Sequence, residues 1–218
     1  MKKIMSLLFT LLLITNTAFA FPNEPEGFRN LKWDDSLHRL YDFYPNAILK
    51  KSYEFINSSS NSTKFNVYEV KLNNTRLNNL KLNKNAEYIF CDNKFVGVSL
   101  NSTLKQSSNF KNIESDFIQN MISYYGHPSM TKTYCTAAIG TIPKRDNTIY
   151  ITRYDWFDDN ETSKTPLSCI SVKASLSTHI KTNHNFNIII FKHNLWNEYL
   201  NSKISTINNK QEIKKQGW

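Results

Sequence analysis

Glycine is scarce. The five glycines among 218 residues (Gly27, Gly97, Gly126, Gly140 and Gly217) are scattered. Neither the G-x-G-x-x-G turn nor a G-x-x-x-x-G-K loop can be built from them, which excludes the usual glycine cradles for nucleotide phosphates. Cysteine is equally sparse: Cys91, Cys135 and Cys169 form no C-x-x-C pair. A thioredoxin-like dithiol and a zinc ribbon are therefore unsupported. There is no H-E-x-x-H and no G-x-S-x-G, so the sequence offers no zincin helix and no nucleophile elbow. Only five of the 27 basic residues are arginine, and beyond the N-terminal segment no apolar run approaches the ~20 residues that a membrane-spanning helix needs.

What is present begins with a three-part leader. Lys2 and Lys3 supply a positive start, Ile4 to Ile14 an apolar stretch, and Ala18-Phe19-Ala20 the small residues read by a signal peptidase. The expectation is a bacterial export signal, residues 1–20, cleaved after Ala20, and a periplasmic or secreted mature protein. Loss of Lys2 and Lys3 lowers the net charge from +9 to about +7. The lysines are spread along the chain, with one cluster at Lys210, Lys214 and Lys215. Dispersed lysine gives solubility and a weak pull toward anionic envelope surfaces. It does not give the arginine-rich, aromatic-interleaved stripe of a nucleic-acid binder. Forty per cent apolar and 13% aromatic residues fit a folded domain rather than a disordered chain.

Periodicity predicts a mixed fold. A short helix capped by Asp35 or Ser36 carries Leu37, Leu40, Tyr41 and Tyr44 on one side, and Pro45 stops it. Strands are expected over residues 64–72, and over 86–91 and 94–100 around an Asp92-Asn93 turn. The clearest helix runs from Phe110 through Ile113, Phe117, Met121 and Tyr125 to Gly126, with Pro128 beyond. Residues 131–138, 148–157, 167–175 and 185–191 are rich in β-branched and aromatic side chains and read as strands. A last helix starts at Asn194, and a polar tail follows from Asn208. The prediction is one α+β domain over residues 21–207, without a repeated unit. Its mainly antiparallel sheet has six to seven strands packed against two to three helices, with one face buried and the other open to water.

Three cysteines in an oxidising compartment suggest one disulfide, and Cys135–Cys169 is preferred because both lie in C-terminal strands. Other pairings, and three buried thiols, stay open. Phe28, Leu31 and Trp33 lead hydrophobically into the first helix, whereas Arg29, Lys32 and Trp33 can equally be read as a lid presented to an anion or partner. His179, His184 and His193 match no tight metal motif. Asp34 and His38 stand four apart on the first helix, and Asp155, Asp158, Asp159 and Glu161 cluster at a turn without EF-hand spacing. No catalytic residue, metal or cofactor is assigned.

The segment Gly27-Phe28-Arg29-Asn30-Leu31-Lys32-Trp33 resembles the start of an uncharacterised family of small secreted proteins of Gram-negative bacteria, which begin G-F-R-G-I/L-K-W-G. The hairpin from Tyr88 to Val98, the helix end Tyr124-Tyr125-Gly126-His127-Pro128 and the later Trp156 are similar to further pieces of that family. Asn30 and Asp34 stand where the family usually has glycine. The resemblance implies a small exported α+β domain and no assigned chemistry. The leading expectation is a non-catalytic binding module for an envelope protein or anionic polymer. An inhibitor-like module would need an exposed aromatic patch. A small hydrolase would need a pocket joining a histidine to a carboxylate or cysteine.

Overall fold

The computed structural model describes residues 23–56, 62–104, 109–137, 148–157, 168–177 and 184–215. The predicted leader, with its cleavage point, lies outside them, as do Asp158, Asp159, Glu161 and His179. A two-stranded hairpin comes first, β1 (Gly27–Phe28) and β2 (Leu31–Lys32), followed by α1 (Leu37–Phe43). Then come β3 (Ile48–Ile56), β4 (Ser62–Lys71), a small hairpin of β5 (Arg76–Leu77) and β6 (Leu80–Lys81), β7 (Asn85–Cys91) and β8 (Lys94–Leu104). The second half holds α2 (Phe110–Tyr125), β9 (Met130–Ala137), β10 (Thr148–Trp156), β11 (Ser168–Ser177) and β12 (His184–Lys192). A 3-10 turn over His193–Leu195 leads into α3 (Trp196–Lys215). Among the described residues, no helix is long and apolar enough to cross a membrane.

Among the described residues, eight strands form one antiparallel sheet in the order β3-β4-β7-β8-β12-β11-β10-β9. This is a sheet-rich α+β fold, with one strand more in the main sheet than the upper expectation. The order is a palindrome. In each half a helix precedes a four-stranded meander, and the last strands of the two meanders, β8 and β12, pair in the middle. The expectation of no repeated unit is thus corrected at the level of topology, where the halves share connectivity without sharing residues. The main-sheet strand that periodicity missed is β3, an edge strand with seven of its nine residues exposed and a bulge between Leu49 and Lys51. An edge strand with little buried surface has no reason to alternate. The final helix also continues to Lys215 instead of yielding to a tail at Asn208.

Local chemistry explains the boundaries. The Ser36 hydroxyl accepts from the Arg39 amide at the start of α1, satisfying one of the donors every helix N-terminus leaves over. Gly126 (φ 80°) ends α2 and donates to the Ile122 carbonyl. Asp92 and Asn93 both take positive φ (47° and 64°), the two-residue turn whose twist matches its strands.

The two faces of the sheet are covered differently. On the first, α1 and α2 press Leu40, Phe117, Ile118 and Met121 onto Tyr68, Tyr88, Phe90, Val98, Val172 and Ile188, with Trp156 wholly buried. On the second, α3 covers a smaller core of Phe65, Val67, Ile89, Cys91, Cys169 and Phe191 with Tyr199. The Phe191 ring stacks on Tyr199 at 5.0 Å and fills the space above Gly97. A Cβ at Gly97 would stand 2.2 Å from that ring. The second face is therefore not wholly open: α3 packs on β3, and the half of the sheet nearer β9 carries polar side chains.

Candidate functional site

The polar half of the second face is built by register. Residues directly opposite in an antiparallel ladder share a face, at about 4.8 Å per strand. Lys132 of β9 lies opposite Arg153 of β10, and Arg153 opposite Lys173 of β11. The row continues through Asn187 of β12 to Asn101 of β8. Three cations thus stand side by side, followed by two amides joined by an Asn187 Nδ2 to Asn101 Oδ1 hydrogen bond of 2.9 Å. Alternation along β11 puts Lys173 on the same face as Cys169, hence on the side of α3. Lys132 and Lys173 are exposed. Among the described residues neither has an acidic partner; the ion pairs are His38–Asp42, Arg39–Asp42, Lys50–Glu69, Lys51–Glu87, Arg153–Asp155 and Lys192–Asp34.

Arg153 is the fixed member of the row. Its Nε donates to Asp155 Oδ1 at 2.8 Å, and Asp155 is buried. Burial works against the guanidinium charge, but the hydrogen bond and charge of Asp155, together with the nearby Tyr134 hydroxyl, leave its pKa raised. The row lies between two depressions. One, of about 410 Å³, is lined by Lys173, Asn187, Asn101, Ser175 and Asn185. The other, of about 230 Å³, lies where α3 begins and is lined by Arg153, Asp155, Phe157, Ser171, His193 and Trp196, with Cys169 in its wall. Together they make a polar, cation-bearing surface that spans four strands.

The smaller cavity does gather a cysteine, a histidine and a carboxylate. Cys169, however, is a buried free thiol. Burial, with Asp155 nearby, pushes it up to about 12, so it stays protonated at neutral pH, and the thiolate is the nucleophilic form. Among the described residues no hydrogen bond joins Cys169 to His193. The cavity thus meets the condition set for a small hydrolase in residue types, with Cys169 held as the thiol.

The residues singled out from sequence fall elsewhere. Arg29 sits at the tip of the β1–β2 hairpin, over the Phe28 ring and bonded to the Asn74 carbonyl at 2.7 Å. Trp33 stacks on Phe95 at 5.3 Å and donates to the Pro25 carbonyl, so it packs and holds the entry segment. Lys32 is exposed, and its backbone N–H donates to Asp35. No contact among the described residues joins the three into one site. The register also keeps Cys135 and Cys169 apart. Cys135 lies opposite Tyr150, and Tyr150 opposite Leu176, seven residues along β11 from Cys169. That offset is roughly 20 Å, far beyond disulfide reach. Asp34 pairs with Lys192 at 2.6 Å, and His38 faces Asp42 instead. His184 is buried against Phe110 at 4.5 Å. The exposed tyrosines (Tyr41, Tyr124, Tyr134 and Tyr150) are distributed over separate elements, while most other aromatics are core.

Sequence reading missed the basic row because Lys132, Arg153 and Lys173 are 21 and 20 residues apart and meet only through register. The available signal was alternation on two of the strands: Arg153 and Lys173 each stand one position from residues that the strand buries or half-buries, whereas Thr131 and Thr133 beside Lys132 are exposed. No family model, curated protein or solved structure matches the chain.

Proposed function

We propose that this protein is an exported, non-catalytic binding module, and that its open sheet face takes an anionic polymer of the bacterial envelope. The observation that carries the reading is the cross-strand row of Lys132, Arg153 and Lys173, in which two of the three cations have no acidic partner among the described residues. Like charges placed directly opposite on a sheet disfavour folding, and a bound polyanion reverses the sign of that interaction. The amides of Asn187 and Asn101 and the hydroxyls of Ser171 and Ser175 extend the same face with neutral hydrogen-bonding groups, suited to the uncharged parts of a polymer. The leader predicted at residues 1–20 supports an envelope destination.

The test is binding of the mature chain, residues 21–218, to long-chain polyphosphate and to polygalacturonate, followed by titration calorimetry at low and physiological salt. A salt-dependent affinity that falls at least ten-fold in a Lys132→Glu/Lys173→Glu double variant is the expected result. Equal binding by wild type and variant, or a preference for single-stranded DNA over both polymers, would overturn the reading.

A further inference from the structure

The small cavity beside the row contains an unsatisfied group. Asp155 is 1% exposed, and its Oδ1 accepts from Arg153. Among the described residues, its Oδ2 has no hydrogen-bond partner. Buried carboxylate oxygens are ordinarily paired, and an unpaired one marks either stored strain or the place of a missing donor. The cavity that Asp155 helps to wall is about 230 Å³ and also presents the rings of Phe157 and Trp196. An acidic oxygen with two aromatic rings is the lining that favours an organic cation. Arg153 belongs to this wall and to the basic row at once. Arg153 and Asp155 stand two residues apart on the same face of β10, roughly 7 Å along the strand. The volume is too small for a polymer segment and ample for an aminoalkyl group.

We propose that the ligand of this face is an ammonium-bearing phosphate ester, with its phosphate on Arg153 and Lys173 and its ammonium group in the cavity against Asp155. This rests on the polyanion reading of the row and narrows it to a zwitterionic repeat or headgroup, in which a short spacer separates phosphate from amine. The cation row selects the phosphate, the buried carboxylate selects the amine, and the two lie within one small molecule's length.

The experiment compares O-phosphoethanolamine, inorganic phosphate and polyphosphate as probes of the mature protein by calorimetry and ligand-observed NMR. Wild type is expected to bind O-phosphoethanolamine at least ten-fold tighter than inorganic phosphate. Asp155→Asn keeps an acceptor for Arg153 and removes the charge, so it should erase that ratio while polyphosphate binding persists. Trp196→Leu, which leaves the Arg153–Asp155 pair intact, should reduce the ratio several-fold and guards against an Asp155 variant that does not fold. Vesicles of phosphatidylethanolamine with phosphatidylglycerol, set against phosphatidylglycerol alone, separate the sources. A matching preference on vesicles assigns the chemistry to a lipid headgroup; a preference confined to the soluble ester assigns it to a polymer substituent. Equal affinity for ester and phosphate with polyphosphate still bound would overturn this inference and leave the basic row standing. Loss of polyphosphate binding as well would overturn both.

Discussion

Replacing Lys173 by glutamine should stabilise the unliganded protein while weakening it as a binder. Lys173 faces Arg153 across β10–β11, and Arg153 faces Lys132 beyond it. Two unit charges about 5 Å apart in water repel by roughly 0.8 kcal/mol, and measured cross-strand charge pairs amount to about 0.2–1 kcal/mol. Long side chains splay, so the lower part of that range applies at the ends of the row. Glutamine keeps the length and polarity of the side chain and removes one Arg153–Lys173 repulsion. The expected gain is about 0.2–0.5 kcal/mol in urea unfolding at low salt. It should shrink toward zero by 0.5 M salt, where screening reaches below the strand spacing. The same substitution should lower polyphosphate affinity at least three-fold. A Lys173→Gln protein that is less stable at low salt, or whose stability change is independent of salt, would refute the view that the row is held against its own repulsion. Such opposed effects on stability and binding are the signature of a functional surface.

Further outcomes follow from the core and the titratable groups. Gly97→Ala drives a methyl into the Phe191 ring and should cost about 1–3 kcal/mol, or more if the α3 packing above it cannot shift, read as a lower Tm. Cys91 and Cys169 are buried thiols, each pushed up to about 12, first of all by burial. Alkylation of native protein at pH 8 should leave both unmodified, with full labelling in denaturant, and non-reducing peptide mapping should recover no Cys135–Cys169 bridge. Burial lowers the pKa of His184, so between its folded value and about 6.5 the unfolded chain binds more protons. Stability from this group is present above pH 6.5 and lost as pH falls. Glu114, raised by burial, acts in the opposite direction at acid pH. The measurement is therefore the difference between wild type and His184→Phe, whose ring keeps the Phe110 contact. The Tm drop from pH 7 to pH 5 should be smaller in the variant, and an equal drop would exclude His184 as its source.

Elements whose chemistry is local were legible in the sequence. The Ser36 cap, the Asp92-Asn93 turn and the α2 stripe ending at Gly126 each declare themselves within a few residues, and each stands where periodicity placed it. What escaped is non-local. β3 has too little buried surface to impose alternation. The palindromic order arises from pairing β8 with β12, which no segment encodes by itself. The basic row has the same origin: read along the chain, its residues are three ordinary strand positions in a chain of dispersed lysines. Arg29, Lys32 and Trp33 drew attention because they are contiguous, yet contiguity at a hairpin gave Trp33 a packing partner in Phe95 and Arg29 a backbone carbonyl.

The central claim is that anions bind on the outer face of β9 to β12, and NMR mapping of polyphosphate onto isotope-labelled mature protein tests it most directly. Shift changes are expected to concentrate at Lys132, Tyr134, Arg153, Ser171, Lys173 and Asn187. Changes confined to residues 210–215, or to Arg29 and Lys32 of the β1–β2 hairpin, would contradict it.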